Sequence, residues 1–93
     1  MGASAPYFIM SWFVYLIECT NGSLYTGITN NVQARFAAHL AGKGAKYTRA
    51  NPPKKLLNAF ECPDKSWAAK AEYHIKQLTP AQKRTLTEQS LKN

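Results

Sequence analysis

An Asn21-Gly22 pair set between two short β-prone runs restricts this chain more than any other feature. The stretch reads WFVYLIECTNGSLYTGIT over residues 12–29. Asn and Gly both tolerate positive φ, so the pair marks the turn of a β-hairpin with strands at about 12–18 and 23–29. The first run is apolar on both faces, the pattern of a central strand. Register depends on loop length. A two-residue loop pairs Glu18 with Tyr25 and sends Tyr15 and Tyr25 to opposite faces. A three-residue loop, Thr20-Asn21-Gly22, closes a type I turn with a glycine bulge, pairs Ile17 with Tyr25 and puts both tyrosines on one face. A joint tyrosine site needs the three-residue loop, which is the expectation adopted. On periodicity alone the stretch is an ordinary core hairpin that happens to carry two tyrosines.

The chain has 93 residues, enough for one domain with a modest core. Residues 1–11 read as a dispensable N-terminal extension and 12–90 as the single domain, with Met10 a candidate natural start. The apolar run Tyr7–Ile17 lacks the basic flank and cleavage site of a secretory signal and is too short to span a bilayer, so no membrane association is expected. Two cysteines, Cys19 and Cys62, make neither a disulfide framework nor a zinc site and point to a reducing, cytoplasmic setting. The net charge is +7, which favours polyanions, nucleic acid first and an anionic membrane surface second. The charge is unevenly placed. Arg35, Lys43, Lys46, Arg49, Lys54 and Lys55 fall between residues 31 and 55, where no Asp or Glu occurs.

Asn30 or Thr29 is positioned to cap a helix over about 31–41, which Gly42 ends. Val32, Phe36 and Leu40 recur at helical spacing and read as its core stripe, with Arg35 and His39 on the neighbouring, solvent-facing edge. Residues 42–53, GKGAKYTRANPP, read as a long connection in which Gly42 and Gly44 permit unusual backbone angles. Lys43, Lys46 and Arg49 alternate there with Tyr47 and Thr48, as a phosphate-binding loop with an aromatic platform would, or as a solvated basic loop would. A third strand is expected at about 55–61 and a second helix at about 65–77, with Trp67, Ala71, Ile75 and Leu78 as its buried stripe. Glu72 lies on or beside that stripe and needs a partner, either a metal or a structural salt bridge to Lys76 or Arg35. Thr79-Pro80-Ala81-Gln82 is a capping box with proline at the first helical position, opening a helix to about 90. The expected fold class is α/β (α+β): a small three-stranded antiparallel sheet flanked by helices in the order β-β-α-β-α-α.

Phe13-Val14-Tyr15, then Tyr25-Thr26-Gly27, Arg35-x-x-x-His39 and Glu72, in that order, resemble the GIY-YIG nuclease superfamily over about residues 12–90. The likeness is to its small bacterial stand-alone members, whose G-K-G-A-K-Y-T-R run stands here at Gly42–Arg49. The first triplet departs from Gly-Ile-Tyr and the second from Tyr-Ile-Gly, while both tyrosines and the glycine remain. The resemblance implies phosphodiester hydrolysis with one divalent metal, Mg²⁺ or Mn²⁺, held by Glu72. It implies that Arg35 holds the phosphate, and that Tyr15 or Tyr25 orients or deprotonates the attacking water. A phenol titrates near about 10 unless a cation lowers it, so Arg35, His39 or the metal would have to assist, or His39 would receive the phenolic proton. Which tyrosine is the base is open at this stage. Tyr15, Tyr25, Arg35, His39 and Glu72 are thus the candidate catalytic residues, and Lys43, Lys46, Tyr47 and Arg49 the candidate nucleic-acid contacts.

The implied substrate is DNA ahead of RNA, in a setting such as DNA repair, with a protein partner supplying specificity to so bare a module. The competing reading is a non-catalytic nucleic-acid-binding module on the same fold. A protein-interaction scaffold using Trp12 and Trp67 ranks third.

Overall fold

The computed structural model describes residues 11–92, with side chains described as far as residue 88. The expected N-terminal extension and the Met10 start therefore lie, apart from Ser11, outside the described residues. Strand β1 spans Trp12–Cys19, β2 Leu24–Thr29 and β3 Pro53–Cys62. Helices α1 (Val32–Leu40), α2 (Lys46–Ala50), α3 (Lys65–Lys76) and α4 (Pro80–Lys92) complete the chain. The sheet is antiparallel in the order β2-β1-β3, so the most apolar strand is central. Val14, Tyr15, Leu16 and Ile17 are all buried, because both sheet faces are covered.

The hairpin adopts the three-residue loop. Ile17 pairs with Tyr25 and Tyr15 with Gly27. Gly22, at φ +87°, supplies the left-handed residue of the bulge. Its N–H donates to the Cys19 carbonyl (2.9 Å) and the Cys19 N–H to the Ser23 carbonyl (2.8 Å). Paired residues share a face, so Tyr15 and Tyr25 lie together, with ring centroids 6.3 Å apart.

The two faces carry separate cores. Val14 and Leu16 pack with Cys62, Ala68 and Ile75, which places α3 on that face. Tyr15, Ile17 and Cys19 pack with Tyr25, Phe36, Leu56 and Ala59 beneath α1. Four helical details differ from the sequence expectation. Asn31, not Asn30 or Thr29, caps α1, accepting from the Ala34 N–H at 3.1 Å, while Thr29 Oγ1 in turn accepts from the Asn31 N–H. Leu40 is 58% exposed whereas His39 is buried, so α1 is rotated from its apolar stripe towards the Arg35–His39 edge. Trp67 is likewise exposed, and the neighbouring Ala68 takes the buried place in α3, because a small residue lets the helix backbone approach the sheet. The basic connection is not irregular throughout: its Lys46–Ala50 part forms α2.

β3 begins two residues earlier than expected, at Pro53, which an edge strand tolerates because its N–H side needs no ladder partner. The capping box at α4 forms as expected, with Gln82 N–H donating to Thr79 Oγ1 and Thr79 N–H to Gln82 Oε1. Arg84 of α4 ties back to the hairpin, pairing with Glu18 at 3.1 Å and donating to the Gly22 carbonyl.

Gly27 shows why the second triplet ends in glycine. A Cβ there would meet the Tyr15 hydroxyl and lie 2.6 Å from its Cζ. The Tyr15 ring is locked in the core and cannot swing away. Gly27→Ala is expected to cost about 1–3 kcal/mol by overpacking, read as a lowered midpoint in urea unfolding at unchanged slope.

Candidate functional site

Tyr15 and His39 form the centre of the site. The Tyr15 hydroxyl donates to His39 Nε2 at 2.8 Å, although both residues are almost fully buried. The direction follows from the other side of the ring. His39 Nδ1 lies 2.7 Å from Thr48 Oγ1, and that hydroxyl donates its own proton to the Ala45 carbonyl at 3.0 Å. Thr48 Oγ1 therefore accepts, Nδ1 carries the imidazole proton, and Nε2 is left as acceptor for the phenol. Burial, and then the Arg35 cation, hold His39 below its usual pKa and keep the ring neutral.

Each element contributes one condition for this chain of bonds. β1 brings Tyr15, the rotated α1 brings His39, and α2 brings Thr48. Gly44 is needed for close approach, not for an unusual backbone angle as its position in the loop suggested: a Cβ there would meet His39 Nδ1 and lie 2.7 Å from Cγ. Positive φ among the described glycines occurs at Gly22 and Gly42. The bond of Thr48 to His39 is what sequence reasoning missed. Its one local signal was a hydroxyl three residues after Ala45, in position to bond that carbonyl.

The other candidates are arranged around this centre. Tyr25 sits edge-on to His39 (centroids 5.3 Å) and near-parallel to Tyr47 (6.1 Å, 16°), and is more exposed than Tyr15. Desolvation raises the Tyr15 phenol above its ordinary pKa, against the opposing pull of the nearby Arg35 guanidinium. Arg35 is half-buried and has no carboxylate partner; among the described residues the ion pairs are Lys76–Glu72 and Arg84–Glu18.

The helix that carries Glu72 packs on the sheet face opposite to the two tyrosines. The Glu72 carboxylate still acts on the Tyr15 phenol, raising it, and it pairs with Lys76 one turn on at 3.2 Å. Lys43, Lys46 and Arg49 are exposed and stay clear of the buried chain, while Tyr47 is 41% exposed with its hydroxyl donating to Ser23 Oγ at 2.6 Å. Among the described residues no three His, Cys, Asp or Glu cluster to hold a metal. Glu72 alone suits Mg²⁺ or Mn²⁺, which accept one protein carboxylate and keep several waters. His39 does not, since both its nitrogens are engaged.

The GIY-YIG catalytic domain family matches residues 11–85, which takes in both tyrosine triplets, Arg35, His39 and Glu72. The chain belongs to this family. A UPF0213 protein of Cupriavidus pinatubonensis is 56% identical over 72 residues, covering 77% of this chain and 80% of that one. One from Halobacterium salinarum is 52% identical over 73 residues, 78% of this chain and 95% of that one. The solution NMR structure of a UPF0213 protein from Bacillus halodurans is 42% identical with a TM-score of 0.54, covering 85% and 84% of the two chains. GIY-YIG membership brings a nuclease-type function in general terms and, with it, nucleic acid as the general class of partner. No described helix is long and apolar enough to cross a membrane.

Thr48→Val keeps the shape but removes the acceptor for His39 Nδ1–H. We expect a loss of about 1–3 kcal/mol for the buried donor left unpaired, with a change in the His39 ¹⁵N tautomer pattern by NMR. The depressed His39 pKa also has a sign. The unfolded chain binds the extra proton near about 6.5, so this contribution to stability is full above that pH and declines below it, towards the folded pKa. Thermal melts at pH 7.5 and 5.5 should show the fall, and His39→Gln should flatten it.

Proposed function

We propose that this GIY-YIG domain is a divalent-metal-dependent endonuclease hydrolysing phosphodiester bonds, of DNA in preference to RNA. One observation carries the reading: Arg35 from α1, which has no carboxylate partner among the described residues, and Glu72 from α3, paired with the half-exposed Lys76, both act on the same buried phenol of β1. Structural salt bridges bring opposite charges together in pairs. Here a cation open to an anion stands on one side of the phenol and an acid whose half-exposed Lys76 partner a metal can displace on the other, which suits a phosphate held between them.

The roles follow from burial. Tyr25 is the more exposed tyrosine and is assigned to orient and deprotonate the attacking water. Lys76 and Lys83 line the same cleft as Tyr25. Tyr15, His39 and Thr48 are positioning residues: their hydrogen-bonded chain fixes the surface on which Tyr25 and Arg35 stand. Arg35 holds the phosphate and offsets the charge gained as water adds to phosphorus. Glu72 would hold the divalent metal, which supplies Lewis-acid polarisation of a phosphate oxygen when bound. The Lys76 pair is no barrier to this, because a half-exposed i,i+4 pair contributes only a few tenths of a kcal/mol, about 0.3–0.5. The two free, buried thiols of Cys19 and Cys62 suit a reducing compartment such as the cytoplasm.

The Lys76–Glu72 pair is also the observation that favours a second reading, a binding module in which Glu72 is purely structural. One assay separates the two. With Mg²⁺ or Mn²⁺ and a panel of single-stranded, nicked and branched oligonucleotides, the parent should cleave. Arg35→Ala and Glu72→Ala should each lose about 10²-fold or more in rate, the scale of removing one charge-stabilising group. Salt-dependent binding with no product from the parent would favour the module. Equal cleavage by both variants would place the activity elsewhere.

A further inference from the structure

A cleft of about 300 Å³ opens along the outer edge of β2, lined by Leu24, Tyr25, Thr26, Tyr47, Lys76 and Lys83. Three features of its lining point to a ligand. The Thr26 hydroxyl is buried, and its Oγ1 has no hydrogen-bond partner among the described residues. A native structure leaves few such groups, since each costs about 1–3 kcal/mol. Lys76 and Lys83 approach from α3 and α4 into the same cleft, and Lys83 is held below its ordinary pKa by burial and then by Lys76. The only carboxylate paired with either among the described residues is Glu72, on Lys76. Tyr47 is stacked near-parallel to Tyr25 and pinned through its hydroxyl to Ser23, yet stays 41% exposed.

The backbone adds to this. β2 is an edge strand, and Ile17–Tyr25 is two residues from the Cys19–Ser23 bonded pair. By antiparallel alternation Leu24 and Thr26 then turn their N–H and C=O groups outward, to the side the cleft occupies. Two cations, a donor hydroxyl and outward N–H groups beside a pinned aromatic ring form a receptor for an anion joined to a flat ring.

We propose that this cleft is a nucleotide subsite adjoining the Arg35 site, with one strand phosphate on Lys83, Lys76 and the Thr26 hydroxyl and the attached base on the open side of Tyr47. It rests on the nuclease reading and deepens it. Arg35 takes the phosphate that reacts, and the β2-edge cleft takes a neighbouring phosphate and sets the strand's direction across the site. Stacking on Tyr47 does not depend on base identity, because every base offers a π-face.

The test uses the full chain with fluorescein-labelled decathymidylate, in EDTA so that nothing is cut, with anisotropy measured across a salt series. Lys83→Gln should weaken binding several-fold and reduce the slope of log K against log salt by about 0.7, one single-strand phosphate. Tyr47→Leu should weaken binding at every salt concentration and leave that slope unchanged. Thr26→Val has a signature that no folding defect imitates: the oligonucleotide binds more weakly while the free protein melts at an equal or higher temperature, since an orphan hydroxyl has been removed. If Lys83→Gln and Thr26→Val bind as the parent does, with the parent's slope, the subsite is overturned and the nuclease reading stands on the cleavage assay. If the variants weaken binding but the parent does not cleave with Mg²⁺ or Mn²⁺, the subsite survives as part of a binding module. If the parent does not bind decathymidylate in about 50 mM salt, the subsite is overturned.

Discussion

The hydrogen bond between the Tyr15 hydroxyl and His39 Nε2 is the constraint on which the rest of this structure depends. Both groups are out of water, so each requires its partner, and breaking the bond would strand a buried donor and a buried acceptor together. Satisfying it imposes conditions throughout the fold. The hairpin must take the register that sends Tyr15 to the α1 face. α1 must rotate until His39 points inward, even though this turns Leu40 out to solvent. Thr48 must reach Nδ1, which is the physical reason that part of the basic connection folds into α2. Gly27 and Gly44 stand where any side chain would collide with Tyr15 or His39.

This arrangement separates rigidity from charge. The buried chain of hydroxyl, imidazole and hydroxyl is neutral, and its members are held by hydrogen bonds whose polar groups are matched. The charged groups stand around it and are unevenly paired. Among the described residues Arg35 has no acid partner, Lys83 feels the like charge of Lys76, and Lys43, Lys46 and Arg49 are exposed on and beside α2. Such a surface repels itself until a polyanion arrives. In the proposed nuclease, that cost is recovered on the phosphates of the strand, with neutral Tyr15 and His39 keeping the geometry constant while the charge changes.

Much of the fold was legible because its signals are local. Asn21-Gly22 specified the turn, and the need for a common tyrosine face selected the loop length. Thr79 and Gln82 sit three apart for reciprocal capping, and they do cap each other. The errors in the two buried stripes share one cause. Hydrophobic periodicity assumes that apolar residues face inward, and Val32-Phe36-Leu40 and Trp67-Ala71-Ile75 were read that way. A histidine with two buried partners outweighed a leucine in α1, and the close fit of Ala68 outweighed the area of Trp67 in α3. The bonds of His39 lie 24 residues upstream and 9 downstream, beyond any helical repeat. α2 is too short for periodicity to register and draws its stability from tertiary contacts.

The amino-acid sequence by itself determined the hairpin and its register, the central place of β1, the capping of α4 and membership of the GIY-YIG family, because each rests on residues close together or on an ordered motif. Only the tertiary structure decided that His39 is buried and neutral, that Thr48 sets its tautomer, that Glu72 comes from the helix on the far face, and that the Thr26 hydroxyl, beside two lysines, lacks a partner among the described residues. Hydrogen-bond satisfaction and desolvation are properties of a packed environment. A residue's identity fixes what it can donate or accept, and the fold fixes whether a partner or water is there to meet it. The hairpin therefore supplies the two tyrosines as a pair, and the packing against α1 and α2 makes them different: Tyr15 closed off from solvent, Tyr25 at the mouth of a cleft.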